Sequence, residues 1–422
     1  MSLLDRITTA LPRGTAFVGA GTAVLGVANY VHLAAAGHSL PVDTMASFSV
    51  LWTVVASIGL GLFFPVEQEI TRVVAGRTVS GDGALPVLRR GATLAVGLLA
   101  VVLLPLAVFG RQLADVFFHG DTGLVVALGG AFAALACAHV TRGVLAGLGR
   151  FEAYGLQLGV DGVLRIVLSV ALALAGVDSA LLFAAVMTVA PLVSVLVTLP
   201  PVIRGSNAGS TAEWRELIEH LGLLVGSTLL AQLLVNVAVI STKLISTNDN
   251  ELVTALLAAL VLARVPVFAF GAFQASLLAG LSTAAAEGDT GGYRRLLLRA
   301  SAFTAGLGAA CGLGAVVLGP VLLPSLFGAP DVLGPVDFVW LSLGTTLYLL
   351  AMVLGQALLT SGAARQQLVA WAIGTVVLIA ITLSPLELRS RVEIAYTAGA
   401  LSVVTSMILV LRSRVGYRSV HS

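Results

Sequence analysis

The stretch RGVLAGLGRFEAYGLQLGVDGVLR, residues 142–165, sets three charged groups, Arg142, Asp161 and Arg165, within two long apolar runs. The runs cover about 122–148 and 157–176, each close to the roughly 20 residues a helix needs to cross a bilayer. A hairpin turn is expected near Ala153. Arg142 then lies 11 residues before the turn and Arg165 12 after it, so antiparallel helices bring both to similar depth in the inner half. Asp161 precedes Arg165 by four residues, the spacing at which side chains meet on one helix face. Two guanidinium groups around one carboxylate leave a surplus positive charge, which suits a diphosphate because planar guanidinium forks match phosphate oxygens. The other reading is an Arg–Asp–Arg clamp that only joins the two helices. Arg142 is also near enough to the inner surface to snorkel.

The rest of the chain has the same character. Of 422 residues, 44 are charged, about 10%, where a soluble domain carries about 25%. Apolar types make up 58% and mean hydropathy is +1.02. So few charges could not cover the surface of a water-soluble fold, which excludes a soluble enzyme, a nucleic-acid binder and a disordered chain. About twelve runs are long enough to span: 15–36, 44–66, 91–110, 122–148, 157–176, 179–200, 217–241, 252–273, 300–325, 333–359, 367–385 and 392–411. The first follows Arg6 and Arg13, but its length and the lack of a convincing cleavage site mark it as a retained helix. The expected fold is an all-α polytopic membrane protein with about twelve transmembrane helices. The short connections leave no room for an appended catalytic domain.

The basic residues orient these spans. With the N-terminus cytoplasmic, seventeen of the 23 bases fall in inner segments, among them Arg72, Arg77, Arg89, Arg90, Arg294, Arg295 and Arg365. Only Arg111, Lys243, Arg389 and Arg391 fall outside, while Arg165 and Arg264 lie within spans. That bias places both termini in the cytoplasm and the chain in the plasma (inner) membrane.

A weak internal repeat divides the chain. FFPVEQEITRVVAGRTVSGD after the second span, then Arg89-Arg90, is echoed by FGAFQASLLAGLSTAAAEGD after the eighth, then Arg294-Arg295. An offset of six helices keeps the halves in the same orientation, related by a pseudo-twofold axis along the membrane normal. The expected organisation is a six-helix lobe at 1–203, a cytoplasmic linker at 204–216 and a second six-helix lobe at 217–422. In the linker, RGSNAGSTAEWREL (204–217), Ser210 and Glu213 match a capping box. Glu67, Gln68, Glu69 and Arg72, beyond the second span, read as a solvated loop–helix face.

In the six-plus-six layout, in LARVPVFAFGAFQASLLAGLSTAAAEGD (262–289) and in 142–165, the chain resembles the multidrug/oligosaccharidyl-lipid/polysaccharide exporter (MOP) superfamily, including the MATE-like exporters. The polysaccharide (Wzx-like) and lipid II flippase branches fit best. The resemblance implies two six-helix lobes around a central cavity that opens alternately to each side. A proline common in such flippases near Ala279-Gly280 is absent. Lipid II flippases usually have two further helices, which favours the polysaccharide branch. Many proton-coupled multidrug exporters of the superfamily carry an acid in the first span and another in the seventh. Here the first span offers Asn29 and His32, and the seventh has no acid beyond Glu219 at its entry.

The buried polar residues supply the candidate site. An Arg at mid-bilayer costs about 2.5–3.5 kcal/mol on insertion scales, so it needs a partner or a wet cavity. Arg264 stands twelve residues into the eighth span, and lipid II flippases carry cavity arginines, one on this helix, so the resemblance implies a ligand role. Arg264, Arg165, Arg142 and Asp161 are therefore the candidate substrate-binding residues. His139, three residues before Arg142, could relay protons or simply hydrogen-bond within the bundle. Asn29, Gln232, Asn236 and Gln356 could meet sugar hydroxyls or a cation, with interhelical hydrogen bonding the default for each. There is no P-loop, since the only lysine is Lys243, and no HExxH or Cys/His cluster. Cys137 and Cys311 fall in apolar runs and form no framework. No enzyme activity, metal or cofactor is expected.

The expected function is a flippase moving a polyprenyl-diphosphate-linked oligosaccharide across the membrane. The implied partners are that lipid-linked oligosaccharide, membrane lipids, and a glycan polymerase or ligase, with no nucleic acid. The alternatives are a cation-coupled multidrug exporter of the same superfamily and a non-transporting membrane subunit of a glycan-assembly complex.

Overall fold

Without water to satisfy them, backbone N–H and C=O groups in a bilayer must pair within their own segment, so an apolar chain of this composition folds into helices. The computed structural model of the chain describes residues 15–245, 250–263, 266–267, 277, 281, 284 and 289–420. Its helices are α1 (Thr15–Ser39), α2 (Val42–Val54), a π-helical turn (Val55–Gly59), α3 (Leu60–Val79), α4 (Leu85–Val108), α5 (Gly110–Phe117), α6 (Thr122–Gly147), α7 (Phe151–Leu174) and α8 (Ala180–Gly205). They continue as α9 (Trp214–Ile218), α10 (Leu221–Ile245), α11 (Asn250–Ala263), α12 (Thr290–Phe327), α13 (Pro335–Thr360), α14 (Ala364–Thr382) and α15 (Leu388–Val420). Among the described residues, eleven helical stretches are long and apolar enough to cross a membrane, α2 to α3 counting as one of 38 residues. They match eleven of the twelve expected runs. The twelfth, 252–273, begins as α11 and continues outside the described residues. The chain is a multi-pass membrane protein.

The described chain sorts into two compact units. The described part of Met1–Leu40 packs with Leu62–Gly222, and Pro41–Gly61 packs with the described part of Leu223–Ser422. The second span therefore contributes to both. The π turn at 55–59 and Pro65, which has no N–H to donate, interrupt the regular ladder between its two parts. Asn250 Nδ2 donates to Asp43 Oδ1 (2.7 Å) and Lys243 Nζ to Asn250 Oδ1 (2.7 Å), fastening α2 to the ends of α10 and α11.

In the first unit α1 lies along α7, α6 packs on α8, and α4 packs on α6. Glycines set the α1–α7 spacing. A Cβ on Gly155 would stand 2.4 Å from the backbone of Phe17, and one on Gly162 would stand 2.9 Å from Leu25 N. The α6–α7 hairpin turns at Gly149 (φ 68°), where Arg150 N donates to Leu145 O (2.8 Å) and Gly149 N to Ala146 O (3.0 Å). This glycine-terminated helix end puts the turn about four residues before the expected Ala153, because only Gly149 takes the left-handed conformation cheaply.

The segment following α8 is fastened to the α3–α4 loop. Arg77 Nη1 donates to Ser210 O (2.8 Å) and Asp82 Oδ2 (3.1 Å), and its Nη2 to Glu216 Oε1 (3.2 Å). Asp82 accepts from the backbone of Ser210 and of Gly83 (both 2.8 Å) and from the Ser210 hydroxyl. Those bonds, the hydroxyl's first among them, hold the Asp82 carboxyl below its ordinary range. The expected Ser210–Glu213 capping box is corrected here. With Ser210 drawn to Asp82, the box forms three residues later, Glu213 N donating to Glu216 Oε1 (2.7 Å).

In the second unit α12 packs on α13, α14 on α15, and α13 on α15, with α11 against α2 and α12. Tyr396 is fully enclosed, its ring filling the space that Gly344 leaves.

Two outcomes follow from this packing. Gly162→Leu should lower the thermal midpoint in detergent by an overpacking cost of about 1–3 kcal/mol, while Gly159→Leu on the same helix, with nothing within 4 Å of its Cβ position, should leave it unchanged. Arg77→Ala should speed proteolytic cleavage within 204–213. Because the carboxyl of Asp82 is depressed in the folded state, its contribution is present above the unfolded value and is lost as pH falls through the lower folded value. Acid should therefore loosen the segment in the parent chain, and Asp82→Asn should remove that step.

Candidate functional site

α7 presents Gln157, Asp161, Arg165 and Ser169 at four-residue spacing, one polar stripe on a face otherwise used for packing. α6 turns His139 and Arg142 toward it, three residues apart, and α1 approaches closely enough at its glycine contacts to add Asn29 and His32. The structure brings three of the expected substrate-binding residues together. Arg142 Nη2 donates to Asp161 Oδ2 and Arg165 Nη2 to Asp161 Oδ1, both at 3.1 Å. Arg165 Nη1 donates to Asn29 Oδ1 (3.1 Å). The three charged residues are 5%, 2% and 7% exposed. With both Asp161 oxygens engaged, Nε of Arg142 and Nε of Arg165 are buried without an acceptor. His32 Nδ1 lies 3.2 Å from Ser169 Oγ, whose hydroxyl donates to the Arg165 carbonyl (2.6 Å).

A second group on the same helices centres on Glu67. One of its oxygens lies 2.6 Å from His139 Nδ1 and the other accepts from the Tyr154 hydroxyl (2.7 Å). Glu67 is 6% exposed, which corrects the expectation of a solvated face. The second span continues as helix to Val79, and Val66, Ile70, Val73, Val74 and Arg77 are buried along one side of it with Glu67. That spacing was the signal available in the sequence. Tyr154, Gln157 and Ser169 complete the polar surroundings. Gln157 Nε2 donates to Thr141 Oγ1 (2.9 Å), joining α7 to α6.

The remaining expected residues belong elsewhere. Arg264 lies outside the described residues. In the second unit, Asn236 Nδ2 donates to the Gln232 carbonyl (2.8 Å) within α10, and Gln356 is half-buried on α13. Among the described residues, no group of three or more His, Cys, Asp or Glu side chains is placed to hold a metal ion.

Chemically, the first unit holds a cationic trio at bilayer depth, beside an acid that spends its oxygens on a histidine and a tyrosine. Removing the shared carboxylate strands two guanidinium groups, whereas removing one arginine leaves a balanced pair. Breaking a buried ion pair at one partner costs about 3–5 kcal/mol. Asp161→Asn should therefore lower the thermal midpoint in detergent far more than Arg142→Gln does, and equal effects would show that the two arginines do not depend on one counter-charge.

No family model matches the chain. It is 26% identical over 397 residues to an uncharacterised protein of Mycobacterium tuberculosis, covering 91% of this chain and 88% of the relative. It is also 26% identical over 419 residues to a second uncharacterised protein of that organism, covering 94% and 93%. Among solved structures it is similar to an inward-facing multidrug resistance MATE family transporter of the MOP superfamily, with TM-score 0.70 and 15% identity, covering 92% of this chain and 95% of that one. A MATE transporter of Vibrio cholerae gives TM-score 0.66 and 17% identity, with 96% of each chain covered. The lipid II flippase MurJ in an inward closed conformation gives 0.64 and 10%, covering 92% and 87%. The chain has the fold of the MATE transporters of the MOP superfamily, a fold the lipid II flippase shares.

Proposed function

We propose that this chain is a transporter that carries a polyprenyl-diphosphate-linked oligosaccharide across the plasma membrane by alternating access, its two similarly oriented six-helix lobes at 1–203 and 217–422 rocking while both termini stay cytoplasmic. The observation that carries the reading is the Arg142–Asp161–Arg165 trio. It retains one positive charge at bilayer depth and has a spare Nε donor on each guanidinium. A buried donor without an acceptor costs about 1–3 kcal/mol, and phosphate oxygens would satisfy both. Arg264 joins this proposal as a further cationic residue of the eighth span. Asn29, Gln232, Asn236 and Gln356 supply amides for sugar hydroxyls. A glycan polymerase or ligase would take up the product outside.

The Glu67–His139 pair favours a second reading, a cation-coupled multidrug exporter, in which a buried acid and histidine exchange a proton. The pairing of both arginines on Asp161 favours the third, a non-transporting subunit of a glycan-assembly complex.

These readings separate in a depletion strain. The first predicts lipid-linked oligosaccharide accumulating on the cytoplasmic face. It also predicts that Arg165→Gln and Arg142→Gln, at unchanged protein level, reduce export about tenfold or more, as expected for losing a charged hydrogen bond of about 1.5–3 kcal/mol. Arg165→Lys should restore export only in part, because lysine lacks the fork. Unaltered lipid-linked glycan with raised drug susceptibility would select the exporter. Normal export in both arginine variants would remove the trio from the substrate path.

A further inference from the structure

The inner halves of α14 and α15 leave a groove of about 310 Å³ between them. Arg365, Val369 and Ile373 of α14 line one wall, and Ser406 and Val410 of α15 the other. Val369, Ile373 and Val376 are 50%, 43% and 65% exposed, an apolar face suited to acyl chains. The groove runs from Arg365 in the first turn of α14 to Ile373, eight residues or about 12 Å at 1.5 Å per residue. That is most of one leaflet, half of a hydrocarbon core of about 30 Å.

Its two ends differ in chemistry. Toward mid-membrane the walls are apolar apart from Ser406. At the other end the exposed Arg365 guanidinium stands at the mouth. α14 begins there at Ala364, and its N-cap, Ala363, makes no side-chain cap. The positive end of the helix dipole adds to the arginine. On α15, Arg412 is exposed two residues beyond Val410. The combination is a cationic mouth at headgroup level over an apolar channel one leaflet deep.

We infer that this groove binds an anionic phospholipid of the leaflet that meets the arginine-rich loops. Its phosphate sits on Arg365 at the N-terminal end of α14, and one acyl chain lies along Val369, Ile373 and Val410. A zwitterionic lipid of the same chain length fits the channel but brings no net negative charge to the mouth. The site concerns a resident bilayer lipid, so it stands or falls separately from the transported substrate and from the charge network of the first unit.

The test uses the full chain in detergent, with native mass spectrometry counting lipids retained after addition of phosphatidylglycerol or of phosphatidylcholine with identical chains. The parent protein should retain phosphatidylglycerol preferentially. Arg365→Gln should cut that retention about fivefold, the loss expected for one Lys/Arg charge beside an anionic headgroup, and leave phosphatidylcholine unchanged. Val369→Trp, which fills the channel, should reduce both lipids, while Arg89→Gln, at an exposed arginine of the first unit, should reduce neither. Equal retention of the two lipids by the parent protein would overturn the inference. So would an Arg89→Gln loss as large as that of Arg365→Gln, which would mean diffuse surface charge, or a Val369→Trp variant that binds normally.

Discussion

Asp161 is the counter-charge on which the interior of the first unit depends. A guanidinium in hydrocarbon is tolerated only beside a partner, and this carboxylate serves two, one from its own helix and one from α6. It ties α6 to α7, while Arg165 extends the tie to α1 through Asn29. The small-residue contacts between α1 and α7 make that reach possible, since a bulkier residue at 155 or 162 would hold the first span too far away. Packing and polarity are thus one arrangement. Backbone closeness without Asp161 would bury unpaired charge, and Asp161 without the closeness would leave Asn29 out of range.

The sequence disclosed the parts of this arrangement that rest on local rules. Hydropathy located the spans because each must be apolar over a bilayer's thickness. The four-residue step from Asp161 to Arg165 pairs those two on one helix face, while Arg142 reaches the same carboxylate although the hairpin turns at Gly149, closer to Arg142 than to Arg165. What escaped depended on where a helix stops. Glu67 read as solvated because the apolar run ends just before it, yet the helix continues for another dozen residues with a buried side. Its partners, His139 and Tyr154, lie 72 and 87 positions away, and no local pattern joins them. The capping box slipped for a similar reason: Ser210 satisfies the helix rule on its own segment, but Asp82, 128 residues earlier, competes for its hydroxyl.

Fold and chemistry point in slightly different directions. The backbone has the architecture of drug exporters as much as of a lipid II flippase. In the first unit the polar interior is two arginines on one aspartate, with Glu67, two histidines and amides beside them, and it offers no acid in the first span, where the resemblance implies one for many proton-coupled exporters. A fold sets where a site lies, and the residues decide what it holds, so the choice between substrates rests on the trio and on Glu67.

The attachment of residues 207–211 to the α3–α4 loop has one more consequence. A connection pinned at its midpoint has no slack to pass along. Extra residues inserted near Ser206 would bulge into water upstream of the pin and leave α10 undisturbed, whereas the same insertion after Ile218 would be felt directly where α10 enters the membrane. The stretch between α8 and α10 therefore acts as two short leashes with a knot between them, and only the second is taut.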